Sequence, residues 1–269
     1  MSASVHDRFG AGIVGWLADA WGVVHQGALI VVLALTPSSW GAAERAALRR
    51  EIVTGTLPAL AVFAVLSALL SLIIIRIVVV TALSYGLSRY ALEMVVRVLV
   101  LELIPLAAAL YAALRTTLPD AADVSALRGN SESALRARGA FDTLRARRID
   151  PLVREVVPRV VSGLFCALTL AVASGVLTLM LAYVSVYGFT PWGFAAYTRT
   201  VGQVLSPAVA TIFVMKTLLF GAAVALIPMA SVLQDGRRAR RGSAELRGLV
   251  RMFLAVLLVE AASLAGNYG

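Results

Sequence analysis

LPALAVFAVLSALLSLIIIRIVVV, residues 57–80, decides the fold. A run of roughly 20 apolar residues is what an α-helix needs to cross about 30 Å of hydrocarbon, and this stretch exceeds it with one charge, Arg76. Working outward, comparable runs lie near residues 91–114, 160–188, 207–233 and 249–266. Five membrane spans are therefore expected. A sixth apolar stretch, 11–35, is interrupted by Asp19, His25 and Gln26, which favours a helix in the interface or a shallow hairpin over a true span. The fold class is an all-α polytopic membrane protein: an N-terminal interfacial helix plus five transmembrane helices with a cytoplasmic coupling-helix loop. Residues 1–50 are expected to form an N-terminal interfacial or elbow region, and 51–269 the transmembrane domain, with the coupling loop at 115–159.

Composition agrees with this class. Of 269 residues 60% are hydrophobic and only 14% charged, and the mean hydropathy is +0.87, outside the range of a soluble globular chain. The net charge of +9 does not indicate a nucleic-acid partner, because the basic residues sit between apolar runs and form no basic and aromatic groove pattern. Charge here reports topology. Residues 115–159 hold nine arginines and 235–251 hold six, whereas 189–206 holds only Arg199. Arginine accumulates in cytoplasmic loops, so both rich loops are placed in the cytoplasm. Residues 189–206, with Tyr187, Trp192 and Tyr197 nearby, are placed at a non-cytoplasmic aromatic belt. The N-terminus is then cytoplasmic and the C-terminus on the opposite side; if 11–35 spans instead, only the N-terminus moves outside. Asp7, Asp19 and His25 interrupt the N-terminal apolar stretch, so a cleaved signal peptide is not expected.

Residues 115–159 are more than a tether. Asp120 can cap a helix, and Val124, Leu127, Ala134, Leu135, Phe141 and Leu144 supply an intermittent apolar stripe, with Glu132–Arg136 and Arg138–Asp142 at i, i+4 spacing. Gly129 and Asn130 are expected to divide it into two short helices. Such a segment suits docking of a soluble partner; the alternative is a solvated charged linker.

Ionisable groups inside spans are costly and therefore functional candidates. At 1.5 Å per residue, Glu102, Lys216 and Glu260 lie roughly 14–16 Å into the second, fourth and fifth spans, near a common midplane. They are expected to line a polar cavity, with Arg97 as a further candidate; alternatively they form a buried ion-pair network that only fixes packing. Arg76 and Arg97 are placed near helix ends, where long side chains snorkel, and Arg97 can also pair with Glu93 one turn away. Pro105 and Pro228 are expected to kink the second and fourth spans, Pro105 aiming Glu102. Cys166 is the single cysteine, so no intrachain disulfide or cysteine-based metal site is possible, and it reads as a packing residue.

Several chemistries are excluded. The only lysine follows Met215, so there is no P-loop. His6 and His25 are the only histidines and offer no metal spacing. No serine sits in a nucleophile elbow. An energy source must lie on another chain.

Four passages, in order, resemble the MlaE family, the permease subunits of ABC transporters that move phospholipids or other lipids with MCE-domain proteins. Glu102-Leu103-Ile104-Pro105 resembles the family's Arg-Glu-Leu-Gly-Pro passage, with Arg115 where the family has an arginine ending that helix. Asp150-Pro151-Leu152 with Pro158-Arg159 is similar to the passage entering the third span. Lys216 with Phe220 resembles a Lys-x-x-x-Phe of the fourth, and Glu260 lies near an acidic position of the last. Leu101 and Ile104 depart from the family's arginine and glycine. The resemblance implies an ABC ATPase subunit carrying ATP and Mg, an MCE-domain protein, a second permease copy or related permease, and a phospholipid substrate, with no cofactor on this chain and location in a bacterial inner membrane. It also implies an ATPase contact formed by Arg115, Asp123, Leu135, Phe141, Leu144, Arg145 and Asp150. The competing readings are an ion-coupled secondary transporter, which predicts an internal repeat that is not seen, and a non-catalytic membrane scaffold. An intramembrane enzyme has no catalytic pair.

Overall fold

The computed structural model describes residues 21–37, 40–122, 156–235 and 241–268, and every regular element among them is helical. Five helices are long and apolar enough to cross a membrane: Glu44–Ser84, Tyr90–Ala122, Val157–Tyr187, Pro207–Ser231 and Leu246–Gly266. The chain is a multi-pass membrane protein. A shorter apolar helix, α1 (Trp21–Leu35), precedes them. It lies against the bundle through Ile30, which is fully buried in a cluster with Ala121, Val157 and Met229. Its opposite side leaves Trp21, Val24, Val32 and Leu35 exposed, the two-faced pattern of a helix between lipid and protein.

Helix α2 (Ala42–Glu51) passes through a wider π turn, Ile52–Thr56, into α3 (Leu57–Ser84). Buried positions on α3 recur every fourth residue at Ala59, Phe63, Ser67, Ser71 and Ile75, and the residues between them are mostly exposed apolar ones. That surface suits lipid or another membrane subunit. The helix ends where Gly86 adopts φ 70° and the Leu87 N–H reaches back to the Ala82 carbonyl at 2.7 Å. A residue with a Cβ is disfavoured in that left-handed cap.

The second span is built in pieces: α4 (Ser88–Met94), a π-helical segment Val95–Leu103, α5 (Ile104–Ala112) and a second π segment Ala113–Thr117. Pro105 lies in the first turn of α5. A proline there has no N–H for the preceding ladder, and the wider π turns before it absorb the loss. The expected break at Pro105 therefore takes the form of a widened segment that contains Glu102. The helix is described through Ala122, and Asp120 lies within it rather than at the start of a helix. Its carbonyl instead accepts a bond from Arg159 at 3.5 Å.

Helix α6 (Val157–Tyr187) is central, touching the first, second and fourth spans. Small residues allow this. A Cβ on Gly163 would lie 2.7 Å from Thr117 and 3.5 Å from Ala225, and one on Gly221 would lie 2.7 Å from Leu164. Cys166 is buried here beside Ala167 and Leu170, in the packing role expected of it. Residues 189–206, read as a connection, contain a 3-10 turn (Pro191–Gly193) and a helix, α7 (Phe194–Val204). Tyr197 is not a belt residue: it is buried, and its hydroxyl donates to the Leu179 carbonyl at 2.8 Å. Burial pushes that phenol above the ordinary tyrosine range. Helix α8 (Pro207–Asp235) runs through Pro228 without ending, and α9 (Arg241–Tyr268) packs back on it. Their close approach is at Gly248, where a Cβ would meet Ser231 at 3.2 Å and Pro228 at 3.9 Å.

Candidate functional site

Glu102, Lys216 and Glu260, expected at one depth on three separate spans, meet in the bundle. Lys216 Nζ donates to Glu102 Oε2 and stands 2.7 Å from Glu260 Oε2. The lysine side chain is 1% exposed, the two carboxylates 12% and 17%. Each helix supplies the geometry. Glu102 projects from the widened segment among buried Leu99, Leu101 and Ile104. Lys216 precedes Phe220 by one turn, with its ammonium 5.5 Å from that ring's centre, an additional favourable contact for a desolvated cation. Ala109 and Ala113 of the second span pack with Phe220, Val224, Met252 and Val256, and their small side chains bring the fourth and fifth spans close enough for the bridge. Removing three charges from water is costly, and only mutual pairing makes the arrangement tolerable in hydrocarbon.

Arg97 does not join them. Its Nε and Nη2 both bond Glu93 Oε1 at 3.1 Å, and both side chains are half-exposed. The reason is helical phase: Arg97 lies beside exposed Met94 and Val98, away from the face that carries Glu102. Arg115 is exposed in the second π segment. Asp123, Leu135, Phe141, Leu144, Arg145 and Asp150 fall outside the described residues, although the two ends of their segment are held together. Ala121 and Val156 share one apolar cluster, next to the Arg159 to Asp120 bond.

An apolar cavity of about 180 Å³ lies between the first and second spans, a feature the sequence did not lead one to expect. Phe63, Ser67 and Ser71 line one wall, and Leu99, Leu103, Ala107 and Tyr111 the other. The Phe63 and Tyr111 rings are 5.0 Å apart. The signal was present as two stripes at every fourth residue, but a stripe alone does not say whether its neighbour fills the space. None of the four charged candidates lines this cavity. Its size is on the scale of the ~150 Å³ engineered apolar cavity that takes up benzene, enough for a few methylenes of an acyl chain.

Compared with known protein families, residues 48–265 match the model described as Permease MlaE. The chain belongs to the MlaE permease family. A comparison with curated proteins returned no match. MlaE membership makes this chain a permease of the ABC-type lipid-transport class, a transport subunit. Glu102, Pro105, Lys216, Phe220 and Glu260, which carried the resemblance in the sequence, all lie inside the matched region. Within this MlaE permease, the ion triad ties together the second, fourth and fifth spans, while the cavity lies between the first and second.

Proposed function

We propose that this MlaE permease moves a phospholipid or another lipid between the bacterial inner membrane and an MCE-domain protein, driven by a separate ABC ATPase that holds ATP and Mg. Two permeases, identical or related, form the membrane unit. The arginine-rich end faces the cytoplasm, with the N-terminus inside and the C-terminus in the periplasm, and residues 115–159 receive the ATPase. The family match carries this reading, and the apolar cavity supports it by offering a place for acyl chain beside a helix with irregular turns. Two π segments on the second span make it the natural moving part, since such turns recur at functional sites and change register locally. Movement there alters both the cavity wall at Leu99 and Leu103 and the bridge at Glu102. The triad ties the middle of that helix to the fourth and fifth spans in this scheme.

The test is Ala107→Phe, which fills the cavity without touching the triad, in the reconstituted complex. Assembly with the ATPase is expected to persist while ATP-dependent lipid transfer falls at least about tenfold, the scale set by losing a few buried methylenes of binding. Transfer at the unmodified rate, with the complex intact, would remove the cavity from the lipid path. Replacing Phe141 and Leu144 with Asp tests the docking segment, and co-purification of the ATPase unchanged by that pair of substitutions would refute it.

A further inference from the structure

Two connections at the end of the bundle opposite Arg115 and Arg159 are tight turns with a positive-φ glycine beside an exposed aromatic residue: Tyr85-Gly86 and Gly188-Phe189. The second is the more developed. Gly188 has φ 68°, the Tyr183 hydroxyl donates to the Thr190 carbonyl at 2.6 Å, and the Thr190 hydroxyl donates to the Tyr187 carbonyl at 2.7 Å. Behind the turn, Tyr183 stacks edge-on against Tyr197 and Phe194 with ring centres 5.2 and 6.0 Å away. A Cβ on Gly193 would lie 2.7 Å from the Tyr187 ring. The turn is thus pinned from both sides. It nevertheless holds Phe189 90% and Trp192 92% exposed. A rigid frame that presents two large aromatics outward is organised for contact rather than for folding.

The level of this turn identifies what it meets. Gly221 faces Leu164 and Ala167, and Gly163 faces Ala225, which sets Lys216 level with about residue 171 of α6. From there to Tyr187 is 16 residues, about 24 Å along the helix and slightly less with ordinary tilt. Half of a bilayer including its headgroups is about 20–22 Å. The turn is also continuous with the membrane-facing surface of the third span, which exposes Val172, Val176 and Met180 below it. Among the described residues of the turn and α7, Arg199 is the sole charge, so charge offers little to recognise a soluble protein.

We infer that the Gly188–Gly193 turn is a preformed lipid-surface hook, whose Phe189 and Trp192 rings enter the headgroup zone of the bilayer. The hook sets the depth of the third span from that side, and its aromatic pair binds lipid in the absence of any other protein. It does not depend on which lipid the permease moves or on which side faces the cytoplasm.

Trp192 reports on this directly once Trp16, Trp21 and Trp40 are changed to Phe and the permease is placed in phosphatidylcholine vesicles with no partner protein. Its emission is expected to be blue-shifted from that of indole in water. Bromines on the acyl chains near the carbonyls should quench it at least roughly twofold more than bromines near the terminal methyls, as befits an interfacial ring. Water-like, unquenched emission overturns the hook. So does quenching strongest near the terminal methyls, and so does a blue shift that appears only when an MCE-domain protein is added. If the triple substitution does not give monodisperse protein, a spin label at Trp192→Cys in a Cys166→Ala background separates the same outcomes through its relative exposure to oxygen and to a polar nickel chelate.

Discussion

Two ion pairs on one helix, separated by little more than a turn, differ in almost every physical respect. Glu93 and Arg97 meet at ordinary i, i+4 spacing on a half-exposed face, so their partnership is local and loosely enforced. Glu102 instead reaches across to Lys216, 114 residues away in sequence, and the lysine also holds Glu260. The first pair costs little to form and little to lose, because water or headgroups replace either partner. The second has no substitute solvent, and its loss leaves charge in an apolar interior. The type of interaction does not decide its importance. Burial does.

Lys216→Met should separate the two pairs most sharply, because it leaves Glu102 and Glu260 facing each other without a cation. A loss of about 3–5 kcal/mol is expected, seen as a collapse of the thermal midpoint or of monodisperse protein in detergent. Adding Glu102→Gln and Glu260→Gln to it should restore most of that stability, since no uncompensated charge then remains; failure to recover would mean that packing, not charge, governs the site. Gly221→Leu attacks the frame that brings Lys216 into place. Crowding Leu164 should cost about 1–3 kcal/mol in the same melting experiment, and an unchanged midpoint would show that the third and fourth spans separate freely. Glu102→Gln alone comes next, near 1–2 kcal/mol, because Lys216 keeps Glu260 and still bonds the amide oxygen. Glu93→Gln closes the series at no more than about 1 kcal/mol. A loss as large as that of Lys216→Met would erase the contrast between the pairs.

Much of this was legible in the chain. The five spans were visible because crossing hydrocarbon imposes a length and a composition that few other structures need. Glu102, Lys216 and Glu260 stood out for the same reason: a charge within such a run is conspicuous. The Arg97 to Glu93 pair was also visible as local spacing, yet whether Arg97 belonged with the midplane charges depended on which side of the helix faces the fourth and fifth spans, and packing between helices decides that. Tyr197 looked like an interfacial aromatic because its neighbours in sequence are polar and aromatic. Only the fold shows α7 turning back on α6 to bury it.

What the sequence determined alone was set by the solvent: a bilayer dictates how long, how apolar and how charge-poor each span must be, residue by residue. What the tertiary structure decided was set by distance between helices. The meeting of three charges from three spans, the cavity left between Ser67 and Leu103, and the rigid display of Phe189 and Trp192 each depend on contacts between segments far apart in the chain. Those contacts follow from where small residues such as Gly163, Gly221 and Ala109 let helices approach, a property of pairs of surfaces that no single run of residues contains.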